Sequence, residues 1–181
     1  MVIYDAINHI RNTNQWKLHV VDYTKFASDA ASGNLPAVSW ITEPKMYADK
    51  PPKSVCGGEN WTVSQINTIM NNPSLWNNTA IIISWDDWGG FYDHVVPPAG
   101  PTNANLQYGL RIPVLVISPY AKGGTVDHRL YSFPSVLKFI EDNFSLPPLN
   151  TVDGQANSLM NAFNFSQQPL PPLVLQPRTC P

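Results

Sequence analysis

Residues 81–98 read IIISWDDWGGFYDHVVPP, an apolar run ending in two adjacent carboxylates, two glycines and an Asp-His pair. Carboxylates and imidazoles are the materials of hard-cation binding and of acid-base chemistry. Adjacent side chains on a strand point to opposite faces, so Asp86 and Asp87 converge only if the backbone turns there. Gly89 and Gly90 permit that turn because they tolerate positive φ. Two convergent carboxylates repel unless one is protonated or a cation neutralises them. Oxygen ligands suit Ca²⁺, Mg²⁺ or Mn²⁺, whereas Zn²⁺ favours more imidazole or thiolate. A capped, solvated turn after a strand is the alternative, and the residue types alone leave both open.

The elements around this stretch set where it can act. TAIIIS (79–84) and IPVLVIS (112–118) are unbroken β-branched runs of strand length, as in a parallel sheet covered on both faces. YTKFASDAASG reads as a helix closed by Gly33, and LPAVSWI (35–41) as a further strand. Residues 44–59 read as a Pro- and Gly-rich loop, followed by a helix capped by Asn60 or Thr62, with Gln65 completing a capping box. Val63, Ile66, Ile69 and Met70 recur at helical spacing, and Pro73 ends that helix. YSFPSVLKFIEDNF reads as a helix capped by Ser132, with Pro134 in its first turn and Phe133, Val136, Leu137 and Ile140 as its buried stripe. This order predicts an α/β fold with a mainly parallel sheet flanked by helices. Residues 1–148 form its main domain, and 149–181 a Pro-rich extended C-terminal segment.

In an open parallel sheet, ligands bind beyond the carboxyl ends of the strands. Asp86 and Asp87 then share one rim with Ser118, Tyr120 and Lys122, while Arg111 lies at the opposite rim with a structural role. Trp85 and Trp88 flank the acidic pair as pocket-shaping residues, with Tyr92 in the same loop. Trp40, Trp61 and Trp76 read as packing residues.

Composition narrows the partners. The 181 residues are 43% hydrophobic and 13% charged, with a net charge of −2, which excludes a solvated disordered chain and gives no general pull toward nucleic acid. Low charge with abundant Asn, Pro and aromatics suits an exported protein. The N-terminal stretch lacks the basic and apolar regions of a signal peptide, and no apolar run is long enough to span a membrane. Asn-x-Ser/Thr matches at Asn60, Asn77, Asn143 and Asn164 carry no weight in so Asn-rich a chain. Cys56 and Cys180 can pair in an oxidising compartment, but their spacing specifies nothing.

The blocks TAIIISWDDWGGFYDHVVPP, YGLRIPVLVISPYAKGGTVDH and SFPSVLKFIEDNF, in this order, resemble the bacterial phosphoesterase family. That family contains phosphatidylcholine-type phospholipases C and related acid phosphatases, within the alkaline-phosphatase-like superfamily. GNLPAVSWITEP and PPKSVCGGENW extend the resemblance, which runs from about residue 26 to 144. It implies a hydrolase of phosphoric ester bonds, acting on a phospholipid or another phosphate ester, with a divalent metal (Ca, Mg, Mn or Zn) held by Asp86 and Asp87. It also implies that His128 contacts phosphate or supports the ligands, and that His94 orients the loop or touches substrate.

Two departures stand out. Lys50 occupies the place of a family histidine before Pro-Pro, and can offer its charge to a phosphate but is a poor proton donor at neutral pH. The family's upstream Glu-Asn metal pair and Ser or Thr nucleophile have no counterpart, since Glu59-Asn60 lies in a different block and reads as part of a helix start. The chain is therefore expected to be the C-terminal portion of a longer secreted or periplasmic enzyme, partnered by its upstream part and inactive alone. A non-enzymatic, metal-stabilised binding module and an inert fragment are the alternatives.

Overall fold

The computed structural model describes residues 11–100 and 107–180. They fall into two compact units, one of residues 11–76 with 172–180 and the other of residues 77–100 with 107–171.

The first unit is helical. α1 (Asn14–His19) starts where Thr13 accepts the Gln15 N–H, and α2 (Lys25–Ser32) ends at Gly33 with φ 74°, as its sequence predicts. α3 (Val55–Met70) begins five residues before the first of the expected caps. Ser54, not Asn60 or Thr62, accepts a backbone N–H, that of Gly57, at 3.2 Å. A 3-10 turn, Lys45–Tyr47, lies against this helix. A Cβ at Gly58 would sit 2.7 Å from the Tyr47 carbonyl oxygen, so this glycine, which reads as loop, marks the close approach of the helix to its neighbour. α3 ends before Pro73, which opens the short α4 (Pro73–Trp76). Ala30, Ala48, Ile69, Met70 and Trp76 form the buried apolar set. Trp61 stacks on Tyr47 with centroids 6.4 Å apart and meets Tyr23 edge-on, so Trp61 and Trp76 pack as expected. Trp40 does not: residues 35–41 form no strand, and Trp40 is 60% exposed beside exposed Val38 and Ile41.

The tail of the chain lies along α3 as a strap. Cys180 forms a disulfide with Cys56. Asn60 clasps the backbone of Arg178 with both ends of its amide, at 2.8 Å each way. Asn67 does the same to Leu175, at 2.7 and 3.1 Å, and Arg178 pairs with Glu59.

The second unit holds β1 (Ile81–Ser84), β2 (Val114–Ile117) and α5 (Phe133–Phe144), followed by α6 (Thr151–Gly154) and a 3-10 turn, Leu159–Ala162. Both strands stand where the β-branched runs predict, so helix and sheet are mixed as expected. Their pairing differs from the expectation. It is antiparallel, with Ile81 opposite Ile117 and Ser84 opposite Val114, and no third strand joins them among the described residues. Nor are the strands covered on both faces, for Val114 and Leu115 are 41% and 51% exposed. In α5 the Ser132–Ser135 capping box and the early proline are present, but the buried residues are Ser135 and Glu141, and Phe133 is 55% exposed. The core of this unit comprises Ala121, Leu159 and Phe163 with buried Ser118 and Pro119. Phe163 stacks on Phe139 of α5, centroids 5.1 Å apart.

Candidate metal-binding turn

The chain leaves β1 at Ser84 and turns at once, with Asp86 and Asp87 both exposed. The Gly89 N–H donates to Asp87 Oδ1 at 2.6 Å, closing an Asx turn. Gly89 and Gly90 have φ 69° and 80°, the left-handed region that the acidic turn was read as needing. The Asp86 carboxylate makes no hydrogen bond or ion pair among the described residues. Both carboxylates are thus presented to solvent next to one another, one steered by its own turn.

The next acidic residue behaves differently. Asp93, its side chain only 12% exposed, accepts four N–H groups. Val95 N and Arg111 N lie at 3.1 and 3.2 Å, and Arg111 Nε and Nη2 at 2.8 and 2.7 Å. The Arg111 guanidinium, helped by the Val95 amide, holds the Asp93 carboxyl far below the usual carboxylate range. The same pairing raises the pKa of Arg111.

Arg111 therefore stands at the end of the sheet from which the acidic turn projects, not at the opposite rim. The antiparallel register is the reason, because it sets the start of β2 beside the end of β1. Trp88, Phe91, Tyr92, Ile112 and Pro113 join Asp93 and Arg111 around an open cavity of about 370 Å³. Trp88 lines this pocket, whereas Trp85, Asp86 and Asp87 are not among its lining residues. Ser118, Tyr120 and Lys122 follow the other end of β2 and have structural partners. Ser118 is buried and accepts the Tyr120 N–H at 3.3 Å, while Lys122 Nζ donates to the Asn161 carbonyl at 2.7 Å.

The remaining candidates are scattered. His94 is exposed, its Nδ1 3.9 Å from Asp93 Oδ1, too far for a hydrogen bond. His128 is exposed between β2 and α5, next to Asp127, which takes Arg129 and Tyr131 as partners at 2.9 and 2.8 Å. Lys50 is exposed and belongs to the other unit. Glu59 and Asn60 are committed to Arg178 inside α3, so Asn60 is neither a helix cap nor a free metal-binding partner. Among the described residues, no three His, Cys, Asp or Glu side chains gather closely enough to cage a metal. Asp86 and Asp87 fit a hard cation by donor type, but as part of a coordination shell.

Sequence reasoning missed the Asp93–Arg111 pair. Its only trace in the chain is an aspartate and an arginine on the flanks of two strands, and register alone brings them together.

The sequence model of the phosphoesterase family matches residues 3–147. A non-hemolytic phospholipase C of Pseudomonas aeruginosa is 30% identical over an alignment covering 91% of this chain and 28% of that protein. Phospholipase C B of Mycobacterium tuberculosis is 31% identical over 81% of this chain and 33% of its own length. Non-specific phospholipase C6 of Arabidopsis thaliana is 32% identical over 64% of this chain and 26% of its own length. The chain thus spans a third or less of each relative's length.

Proposed function

The chain belongs to the phosphoesterase family, and on that premise we propose that it is part of a hydrolase of phosphoric ester bonds, phospholipase C-like or acid phosphatase-like. The observation that carries this reading is the acidic turn itself. The family match includes it, and Asp86 and Asp87 stand exposed at a strand end, free of any cation among the described residues.

In this proposal Asp86 and Asp87 hold part of a divalent metal site, and the remaining ligands come from outside these 181 residues. When bound, the metal supplies Lewis-acid polarisation and neutralises charge on phosphoryl oxygens. The carboxylates fix where that charge sits. His128 is proposed to contact the phosphate or support the metal ligands, His94 to orient the loop or touch substrate, and Lys50 to lend positive charge to the phosphate. The nucleophile is assigned to an upstream part of the same enzyme. This accords with the fraction of each phospholipase C relative that the chain covers. The uncovered faces of β1 and β2 are proposed to join a larger, mainly parallel, alkaline-phosphatase-like sheet that this part completes. An isolated two-stranded ribbon is marginal in water, which supports that view. Export to an oxidising compartment accords with the Cys56–Cys180 disulfide. No helix among the described residues is long and apolar enough to cross a membrane.

The test is hydrolysis of a chromogenic phosphate ester and of a phospholipid, with Ca²⁺, Mg²⁺, Mn²⁺ or Zn²⁺ added. It is run on this chain and on a polypeptide that also carries the upstream region. The longer protein is expected to turn over substrate and to lose that turnover in an Asp86→Asn, Asp87→Asn double variant, while the isolated chain stays at background. Turnover indifferent to both carboxylates would refute the metal assignment. Asp-dependent turnover by the isolated chain would refute the assignment of the nucleophile upstream.

A further inference from the structure

We infer that Asp93 and Arg111 are positioning residues that hold the Asp86–Asp87 turn in place. The inference rests on the metal-site reading above and adds a role for two residues outside the ligand pair. The chain between β1 and β2 runs from 85 to 113 and contains no helix or strand among its described residues. Its acidic end is fixed at two points. The strand ladder holds Ser84 opposite Val114, and Asp93 is fastened to Arg111, three residues before β2, by a backbone and a two-pronged side-chain interaction. Residues 85–92 therefore form a short closed loop rather than one end of a long free one, which removes much of their conformational freedom. The planar guanidinium fork gives this closure a defined geometry that a point charge would not.

The charges add a second argument. Asp86, Asp87 and Asp93 lie within one loop, and one arginine faces it. Arg111 spends its side-chain contacts on Asp93, and no described cation pairs with Asp86 or Asp87. Asp93 thereby occupies the guanidinium, and Asp86 and Asp87 are left without a described cationic partner.

The experiment is amide hydrogen exchange by NMR on the metal-free chain and its Asp93→Asn variant. The N–H groups of Val95 and Arg111 bond Asp93 directly, so their acceleration alone is trivial. The informative amide is Gly89, which bonds Asp87 and does not touch Asp93. We expect its exchange to quicken by about tenfold in Asp93→Asn, the loss typical of one charge-assisted bond, with β1 amides unchanged. Wild-type exchange at Gly89 overturns the inference. Should Asp93→Asn not fold, Arg111→Lys keeps the charge and loses the fork, and an intermediate acceleration at Gly89 is expected. A wild-type rate there overturns the inference equally. Added Mn²⁺ separates this from the underlying reading. Broadening of the Asp86 and Asp87 amides in wild type that weakens at least about fivefold in Asp93→Asn supports the clamp, and undiminished broadening contradicts it. Absence of broadening in wild type removes the metal reading in this chain, while Gly89 still decides on the clamp.

Discussion

The C-terminal strap and the acidic loop are two irregular segments held in opposite ways. The strap has a disulfide, two amide clasps and an ion pair spread along α3. Beyond the strand ladder at its base, the loop has the Asp93–Arg111 pair as its one hydrogen-bonded tie to the start of β2 among the described residues. Redundant ties make a segment structural, since losing any single one leaves the others. A single tie leaves the loop responsive to whatever engages it, and that suits a segment meant to receive a ligand. The two tethers also answer to different conditions: the strap to reducing agents, the loop to charge.

This contrast can be broken by experiment. The largest effect is expected from Cys56→Ser. Opening so long a covalent loop typically costs about 2–5 kcal/mol, seen as a lower urea midpoint for the first unit and protease access near Leu175. Proteolysis unchanged on reduction would show that the clasps alone hold the strap. Asn60→Ala removes both bonds to Arg178 and is expected to cost about 1–2 kcal/mol in the same melt.

A smaller effect concerns Glu141 and Asp153, buried together in the second unit. Burial pushes the Glu141 carboxyl up, and neighbouring Asp153 adds to that. Burial also opposes ionisation of Asp153. The neighbouring Glu141 carboxyl and the amides of Leu149 and Asn150, which donate at 2.6 and 3.0 Å, outweigh it and lower its pKa. The raised Glu141 contributes stability that is complete below its unfolded value near 4.5 and is lost as pH rises through the folded one. The lowered Asp153 contributes in the opposite sense, above its unfolded value. Glu141→Gln is therefore expected to flatten the decline in stability on going from acid to neutral pH. Thermal melts across that range check it, and an unchanged slope would contradict the assignment. Glu59→Gln is expected to matter least, within about 1 kcal/mol, because both partners of that ion pair are exposed.

Local structure was legible in the sequence wherever one short segment carries its own cause. The β-branched runs became β1 and β2, Gly33 closes α2, Ser132 and Pro134 open α5, and Gly89 and Gly90 make the acidic turn. What depends on distant partners was not. Residues 55–59 look like loop until Tyr47 and Cys180 pack on them. LPAVSWI has strand composition but no described partner strand to pair with. The pairing of β1 with β2 hides behind the long connection of residues 85–113, and with it hides the place of Arg111. Of the candidate site, the acidic pair and its glycines could be read from residue types, whereas the clamp required the register.

The most direct test is calorimetric titration of Ca²⁺, Mg²⁺ and Mn²⁺ into a polypeptide that carries this chain together with its upstream region, and into the Asp86→Asn, Asp87→Asn double variant of that polypeptide. Saturable binding of one ion per chain in the wild type, absent from the variant, is the predicted result. No saturable binding, or equal binding by both proteins, would contradict the assignment of the acidic turn as a metal site.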